Sequence, residues 1–246
     1  RPMPIQSKNP ATEEIIATFE ELKPSEVEQK LSDAKVAFEQ WHKTSFDHRA
    51  KLFLKIADYL VTHKDEFAML ITEEMGKPVT SAVAEVEKSA LACEYYAENA
   101  EQILSKEVIA TSSSESFVVF EPVGIVFAVM PWNFPFWQVF RFAPPALMAG
   151  NVGLLKHASN VPRCALAIEK IFIDCGVPKG VFQTLLIRSS RVSEIIKDDR
   201  IAGVTLTGSE KAGSEVAAAA AATIKKSVLE LGGSDPYIVL EDADLE

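Results

Sequence analysis

Three cysteines in 246 residues are too few to staple a fold. Cys93, Cys164 and Cys175 show no metal-ligand spacing and cannot all pair, so a reducing, cytoplasmic setting is expected. Positive charge is also scarce: 25 Lys and Arg stand against 35 Asp and Glu, a formal net charge of -10. That balance argues against nucleic acid or an anionic membrane as partner, and it calls for a local cation wherever an anionic substrate is held. No apolar run approaches the ~20 residues of a membrane span. The opening RPMPIQSKNP has no signal-peptide core. Neither G-x-G-x-x-G nor a P-loop occurs.

What is present is ordinary for a globular chain, 48% apolar and 24% charged, enough core for one large domain or two modest ones. The first hundred residues carry helical spacing. Residues 24–41 hold Ser25 and Glu28 at capping-box spacing and repeat Val27, Leu31, Ala34, Phe38 and Trp41 in steps of four and three. A further helix is predicted over 63–75, closed by Gly76. The next starts near Pro78 and keeps Val79, Val83, Val86, Ala90, Cys93, Ala97, Ala100 and Leu104 on one face, which makes Cys93 a core thiol. From Ser112 the period changes to a polar loop, a short strand at 117–121, a Pro-Val-Gly turn and a strand at 125–130. Strands NVGLLK, VFQTLL, AGVTLT and KSVLEL then alternate with helices near 136–149, 161–175, 191–197 and 209–222. Near-continuous apolar strands separated by helices predict an α/β fold, a Rossmann-like parallel sheet with helices on both faces.

In such a sheet, ligands bind where strands end and loops lead into helices. Four of these ends are chemically suggestive. PWNFPFWQ, residues 131–138, sets the amide of Asn133 among Trp, Phe and Pro. A buried amide without partners costs about 1–3 kcal/mol, so Asn133 either caps the following helix or waits for a ligand. Lys156 ends a strand in LLKHASN, either as a surface lysine or as an ammonium reaching a ligand hydroxyl or phosphate. Gly208 and Ser209 open a helix in LTGSEKAG, and exposed N–H groups there favour an anion. Glu230 in VLELGGSDP is a candidate general base if its surroundings are apolar. Otherwise it caps the next turn or pairs with Lys225 or Lys226.

In this order PWNFP, LLKHAS, LTGS and LELGG resemble the aldehyde dehydrogenase superfamily, over the whole chain. PFWQVFR and LLKHASN look most like its bacterial succinate-semialdehyde dehydrogenases. The resemblance implies NAD or NADP as cofactor and a small semialdehyde as substrate. It assigns Asn133 to the oxyanion hole, Lys156 to the adenosine ribose hydroxyls, Ser209 to the pyrophosphate and Glu230 to the activation of water. It also assigns Met130, Trp132, Ser159, Gly208 and Leu231 to the cofactor site. In the family reaction a cysteine thiolate attacks the aldehyde, hydride passes to nicotinamide, and the thioester is hydrolysed. The family's nucleophile lies beyond LELGG, where thirteen residues follow Gly233 and none is Cys. The expectation is therefore a cofactor-binding domain, residues 1–104 and 123–233, that is inactive alone. Residues 105–122 would form part of a β-hairpin oligomerisation arm in a homodimer or homotetramer, and residues 234–246 would begin a catalytic domain.

Two expectations concern selectivity. Ser159 stands where NAD-preferring relatives often carry a glutamate that repels a 2′-phosphate, so NADP should be tolerated. Ile187 and Arg188 stand in a turn where relatives usually carry glycine close to the adenosine, which either hinders the usual backbone approach or supplies a cation there. Asn133, Trp137 and Arg141 are spaced i, i+4, i+8, which on a continuous helix puts Arg141 about 12 Å from Asn133 on the same face. The planar fork of Arg141 suits the carboxylate of succinate semialdehyde, with Trp137 beside it. Two other readings stay open. One is a nucleotide-binding or structural module without turnover. The other is an enzyme that reduces an acyl phosphate, against which Glu230 argues, because a deacylating base is needed only when water is the acceptor.

Overall fold

The computed structural model describes residues 4–244. The chain begins with a hairpin, β1 (Ile5–Lys8) and β2 (Ile15–Phe19), where helix was expected. Asn9 makes the turn: its side chain accepts from Ala11 N at 2.9 Å, and its backbone exchanges bonds with Glu13 and Glu14.

Four helices follow: α1 (Pro24–Trp41), α2 (Phe46–Thr62), α3 (Lys64–Met75) and α4 (Val79–Ile103). Helix α1 buries the predicted stripe, with Phe38 only partly covered. Its capping box is not Ser25 with Glu28. Pro24, whose φ is preset for a first helical position, moves the cap to Lys23, and Glu26 Oε2 accepts from Lys23 N at 2.7 Å. Helix α3 ends at Gly76 with φ 81, and a Cβ there would meet Pro10 Cγ at 2.9 Å.

A short antiparallel pair, β3 (Glu107–Val108) with β4 (Phe117–Val118), precedes the main sheet. The sheet strands are β5 (Ile125–Met130), β6 (Val152–His157), β7 (Phe182–Thr184), β8 (Ile201–Thr207) and β9 (Lys226–Glu230). The helices between them are α5 (Trp137–Phe140), α6 (Ala143–Met148), α7 (Pro162–Asp174), α8 (Val192–Lys197) and α9 (Glu210–Ala221), with a 3-10 turn at Ser189–Arg191. All five strands run parallel in the order β7-β6-β5-β8-β9. The chain leaves β5 in one direction, then returns to the other side at β8, so the order reverses between β5 and β8.

The predicted helix over 136–149 is broken into α5 and α6. Pro144 and Pro145 have no N–H to give the preceding turn, so they sit instead in the first turn of a new helix, just after Ala143. The core is aromatic beneath this break: the ring of Phe172 lies 5.8 Å from that of Phe140 and 4.4 Å from that of Phe182. The Trp41 indole N–H donates to Leu147 O at 3.0 Å and Arg49 Nε to Met148 O at 2.9 Å, tying α1 and α2 to the end of α6. Among the described residues no helix is long and apolar enough to cross a membrane.

Candidate functional site

Alternation along the strands sorts the carboxyl ends into two rows. Lys156 pairs with Val129, Val129 with Leu206 and Leu206 with Leu229, a row that faces α8 and α9. One residue further, Met130 pairs with His157 and Thr207 with Glu230, a row that faces α5 and α6.

On the first face lies a narrow slot of about 120 Å³ between α8 and α9, lined by Val129, Val192, Ile196, Leu206 and Val216 with Ser189 at its mouth. Lys156 stands beside it. It is no surface lysine: it is 4% exposed, and burial holds its ammonium below the usual lysine range. Among the described residues its one hydrogen bond is long, Nζ to Ser189 Oγ at 3.4 Å. Ser209 begins α9 and accepts from Ala212 N at 3.3 Å, so it caps the helix whose first N–H groups point at the same edge. Gly208 N donates to Glu230 O at 3.0 Å, and Leu231 lies so close over α9 that a Cβ on Gly213 would come within 2.5 Å of Leu231 Cδ2. Ser159 is exposed in the turn after β6 and does not start a helix; Val161 is the cap residue of α7.

On the second face Arg141 and Glu230 line an open groove of about 380 Å³ with Val126, Met130, Val204 and Val228. Arg141 Nη2 lies 3.5 Å from Glu230 Oε1, the two side chains 37% and 55% exposed. Glu230 therefore lacks the apolar surroundings expected of it, and its partner is Arg141 rather than Lys225 or Lys226. The continuous helix face expected for Asn133, Trp137 and Arg141 is only partly present: Trp137 and Arg141 are one turn apart, Arg141 N donating to Trp137 O at 2.8 Å, and Asn133 lies outside the helix. Asn133 precedes α5, Arg141 sits at the α5–α6 break, and the Trp137 ring lies under Lys88 Nζ at 4.2 Å, outside the groove. The Met130 side chain lines the groove and that of Trp132 a hollow against the β1–β2 hairpin, so neither side chain reaches the slot. Arg188 also turns elsewhere, its Nε 3.7 Å from Glu21 Oε2.

Asn133 does not cap α5. The cap residue is Phe136, without a side-chain bond, and Asn133 is exposed with no side-chain hydrogen bond among the described residues. The next four residues are all held. Lys77 Nζ stands 3.6 Å over the Phe134 ring. His157 Nε2 donates to Pro135 O at 2.8 Å while its Nδ1 accepts from Ala158 N at 2.9 Å, and burial lowers its pKa from 6.5 to about 4. Glu85 Oε1 accepts from Phe136 N at 2.9 Å and from Trp137 N at 3.0 Å, and its other oxygen is bound by Lys77 Nζ. A second buried carboxylate, Glu74, accepts from Arg163 N and Cys164 N at 2.9 and 2.8 Å, capping α7 from α3.

Sequence reasoning missed Lys77, Glu85, Glu74 and His157. Glu85 left a trace: it falls among Ala82, Val86 and Ala90 on the inward side of α4, and a buried charge is always paired with something. All three thiols are buried, and burial pushes Cys93 and Cys164 up and Cys175 to about 11, so none has thiolate character.

Comparison with known proteins extends the picture. The chain is 57% identical over 244 residues to a probable succinate-semialdehyde dehydrogenase [NADP(+)] of Synechocystis, covering 99% of this chain and 54% of that protein. It is 50% identical over 248 residues to the succinate-semialdehyde dehydrogenase [NADP(+)] of Mycobacterium avium, covering 99% and 52%. The crystal structure of succinic semialdehyde dehydrogenase from Streptococcus pyogenes in complex with NADP+ matches with a TM-score of 0.93 at 35% identity, over 98% of this chain and 53% of that one. The chain thus spans about half the length of the relatives it matches. The family model for the aldehyde dehydrogenase family matches residues 2–246, and the chain belongs to that family.

Proposed function

We propose that this chain is the cofactor-binding part of an NADP-dependent succinate-semialdehyde dehydrogenase that oxidises the semialdehyde to succinate. The observation that carries the cofactor reading is Lys156: a buried ammonium whose one hydrogen bond among the described residues is long, beside a largely apolar slot. These residues fit an adenine nucleotide. Lys156 would bond the ribose hydroxyls, Ser209 and the first turn of α9 would take the pyrophosphate, and Gly208 and the backbone of Met130, Trp132 and Leu231 would line its path. Ser159, small and neutral, leaves room for a 2′-phosphate. The bound cofactor would supply the hydride acceptor.

The chain's own residues then divide the remaining work. The Asn133 amide donates to the oxygen that becomes negative when the carbonyl is attacked, a contribution worth about 2.7–4 kcal/mol per donor in other enzymes. Glu230 takes a proton from the attacking water during deacylation. Arg141, at the groove, binds the substrate carboxylate, the local cation that a chain of net charge -10 needs for an anionic substrate. The attacking thiol is none of the three buried cysteines and belongs to sequence outside this chain. The exposed apolar residues of the β3–β4 pair, Val108, Phe117 and Val118, support its role as an arm in a homodimer or homotetramer, and the residues after Gly233 would enter the catalytic domain. A cytoplasmic location agrees with the free thiols.

The test is Arg141→Ala in the full-length enzyme. It should lower kcat/KM for succinate semialdehyde by about 1.5–3 kcal/mol, the range for hydrogen bonds to charged groups. The exposed pair with Glu230 is worth about 1 kcal/mol at most, so activity on butanal should change much less. Equal losses on both aldehydes would make Arg141 a structural residue and remove the substrate assignment.

A further inference from the structure

Asn133 acts, in the reading above, through the placement of its amide, yet nothing among the described residues holds that side chain. Its placement must come from the backbone that follows. That backbone has no cap of its own, because the cap residue of α5 is Phe136, which offers no side-chain acceptor. The acceptor comes instead from α4. Glu85 is buried, and one of its oxygens takes two amides of the turn, Phe136 N and Trp137 N. Lys77 neutralises the other oxygen and, with the same ammonium, covers the Phe134 ring. The left-handed turn at Gly76 brings Lys77 off the end of α3 into that position.

We propose that Glu85, backed by Lys77, is the positioning residue for Asn133: it fixes the 134–137 turn to α4 and thereby aims the amide at the developing oxyanion. The proposal rests on the oxyanion reading of Asn133. Its physical basis is that a carboxylate accepting two backbone N–H groups makes strong, directional bonds, and that removing it leaves one buried and one part-buried donor unsatisfied. A displaced turn would leave cofactor binding intact, since Lys156 and the slot lie on the opposite face of the sheet. It would impair only the step that needs the amide.

The experiment uses the full-length enzyme with Glu85→Gln, Asn133→Ala and the double variant. Glu85→Gln keeps size and one carbonyl acceptor, so it is the variant to rely on should Glu85→Ala fail to fold. The expected result is a fall in kcat of about tenfold or more, with KM for succinate semialdehyde and the Kd of NADP+, read by fluorescence titration, changed by about threefold or less. Because Glu85 acts through Asn133, the double variant should be no slower than Asn133→Ala alone. Hydrogen exchange at the Phe136 and Trp137 amides should accelerate in Glu85→Gln while the slot residues keep their protection. An unchanged kcat, losses that multiply in the double variant, or NADP+ affinity falling in step with kcat would each overturn the proposal. Should Asn133→Ala itself retain full kcat, the oxyanion reading fails first, a result distinct from an ineffective Glu85→Gln beside a crippled Asn133→Ala.

Discussion

The two sides of β5 are built from similar sequence and end in different environments. Toward β6 and β7 the sheet is covered on both faces. Every residue of β6 is buried, and the stacked rings of Phe140, Phe172 and Phe182 fill the space beneath. Toward β8 and β9, helices α8 and α9 cover one face only, and Val228 in the middle of β9 is 60% exposed. The difference decides what each side can do. A buried lysine keeps a fixed position and a costly desolvated charge, which suits a recognition point for a cofactor. An exposed glutamate beside an arginine in an open groove remains adjustable, which suits a proton carrier and a substrate anchor. Apolar strand sequence alone does not separate these cases, because both read as interior.

Several variants test how deep this asymmetry goes. The largest effect is expected at Phe172→Ala on the covered side, about 3–5 kcal/mol of stability by denaturant titration, from lost burial and the cavity left between Phe140 and Phe182. A loss under 1 kcal/mol would mean that the ring stack is not a packed core. Next comes acid. The His157 pKa is about 4 when folded against 6.5 in the open chain, so the unfolded state binds the extra proton first as pH falls. Stability should therefore be constant above about pH 6.5 and decline by roughly 3 kcal/mol towards pH 4. His157→Asn should flatten that decline, and an unaltered slope would show that the imidazole is not buried as a neutral group. Smaller again, Ser159→Glu in the full-length enzyme should weaken NADP+ about tenfold more than NAD+, or about 1.4 kcal/mol. Equal weakening of both would remove Ser159 from the 2′-phosphate site. The smallest effect belongs to the open side. Val228→Ala should alter the stability of this chain by about 0.5 kcal/mol or less, and a core-sized loss would erase the asymmetry.

Much of the sheet was legible because its signals are local. Strand β5 has the predicted bounds, since a continuous apolar run lies between Gly124 and Pro131. Gly76 stopped α3 where expected. The hairpin β1–β2 escaped because its strands are four and five residues long and its turn depends on the side chain of Asn9, with no Asn-Gly or Asp-Gly to announce it. Within the candidate site, strand ends and helix starts located Lys156, Ser209 and Glu230, but not their surroundings. The burial of Lys156 and the pairing of Glu230 with Arg141 depend on how elements far apart in the chain come together. The same holds for Glu85, which reaches Phe136 across 51 residues. Spacing rules describe neighbours within an element, and a carboxylate on one helix that caps another lies outside them.

Lys156 and His157 are consecutive, yet one attends the slot and the other grips Pro135 O beside Asn133. Strand β6 is therefore a ruler laid between the two halves of the site. The spacing of the proposed ribose anchor and oxyanion turn is set by a single peptide unit, held in the parallel ladder with β5 just beyond the last β7 pair at Leu155. A shift of β6 itself would therefore carry both ends together. Whatever motion turnover requires must then be found elsewhere, and the open Arg141–Glu230 side of the sheet is where this chain leaves it room.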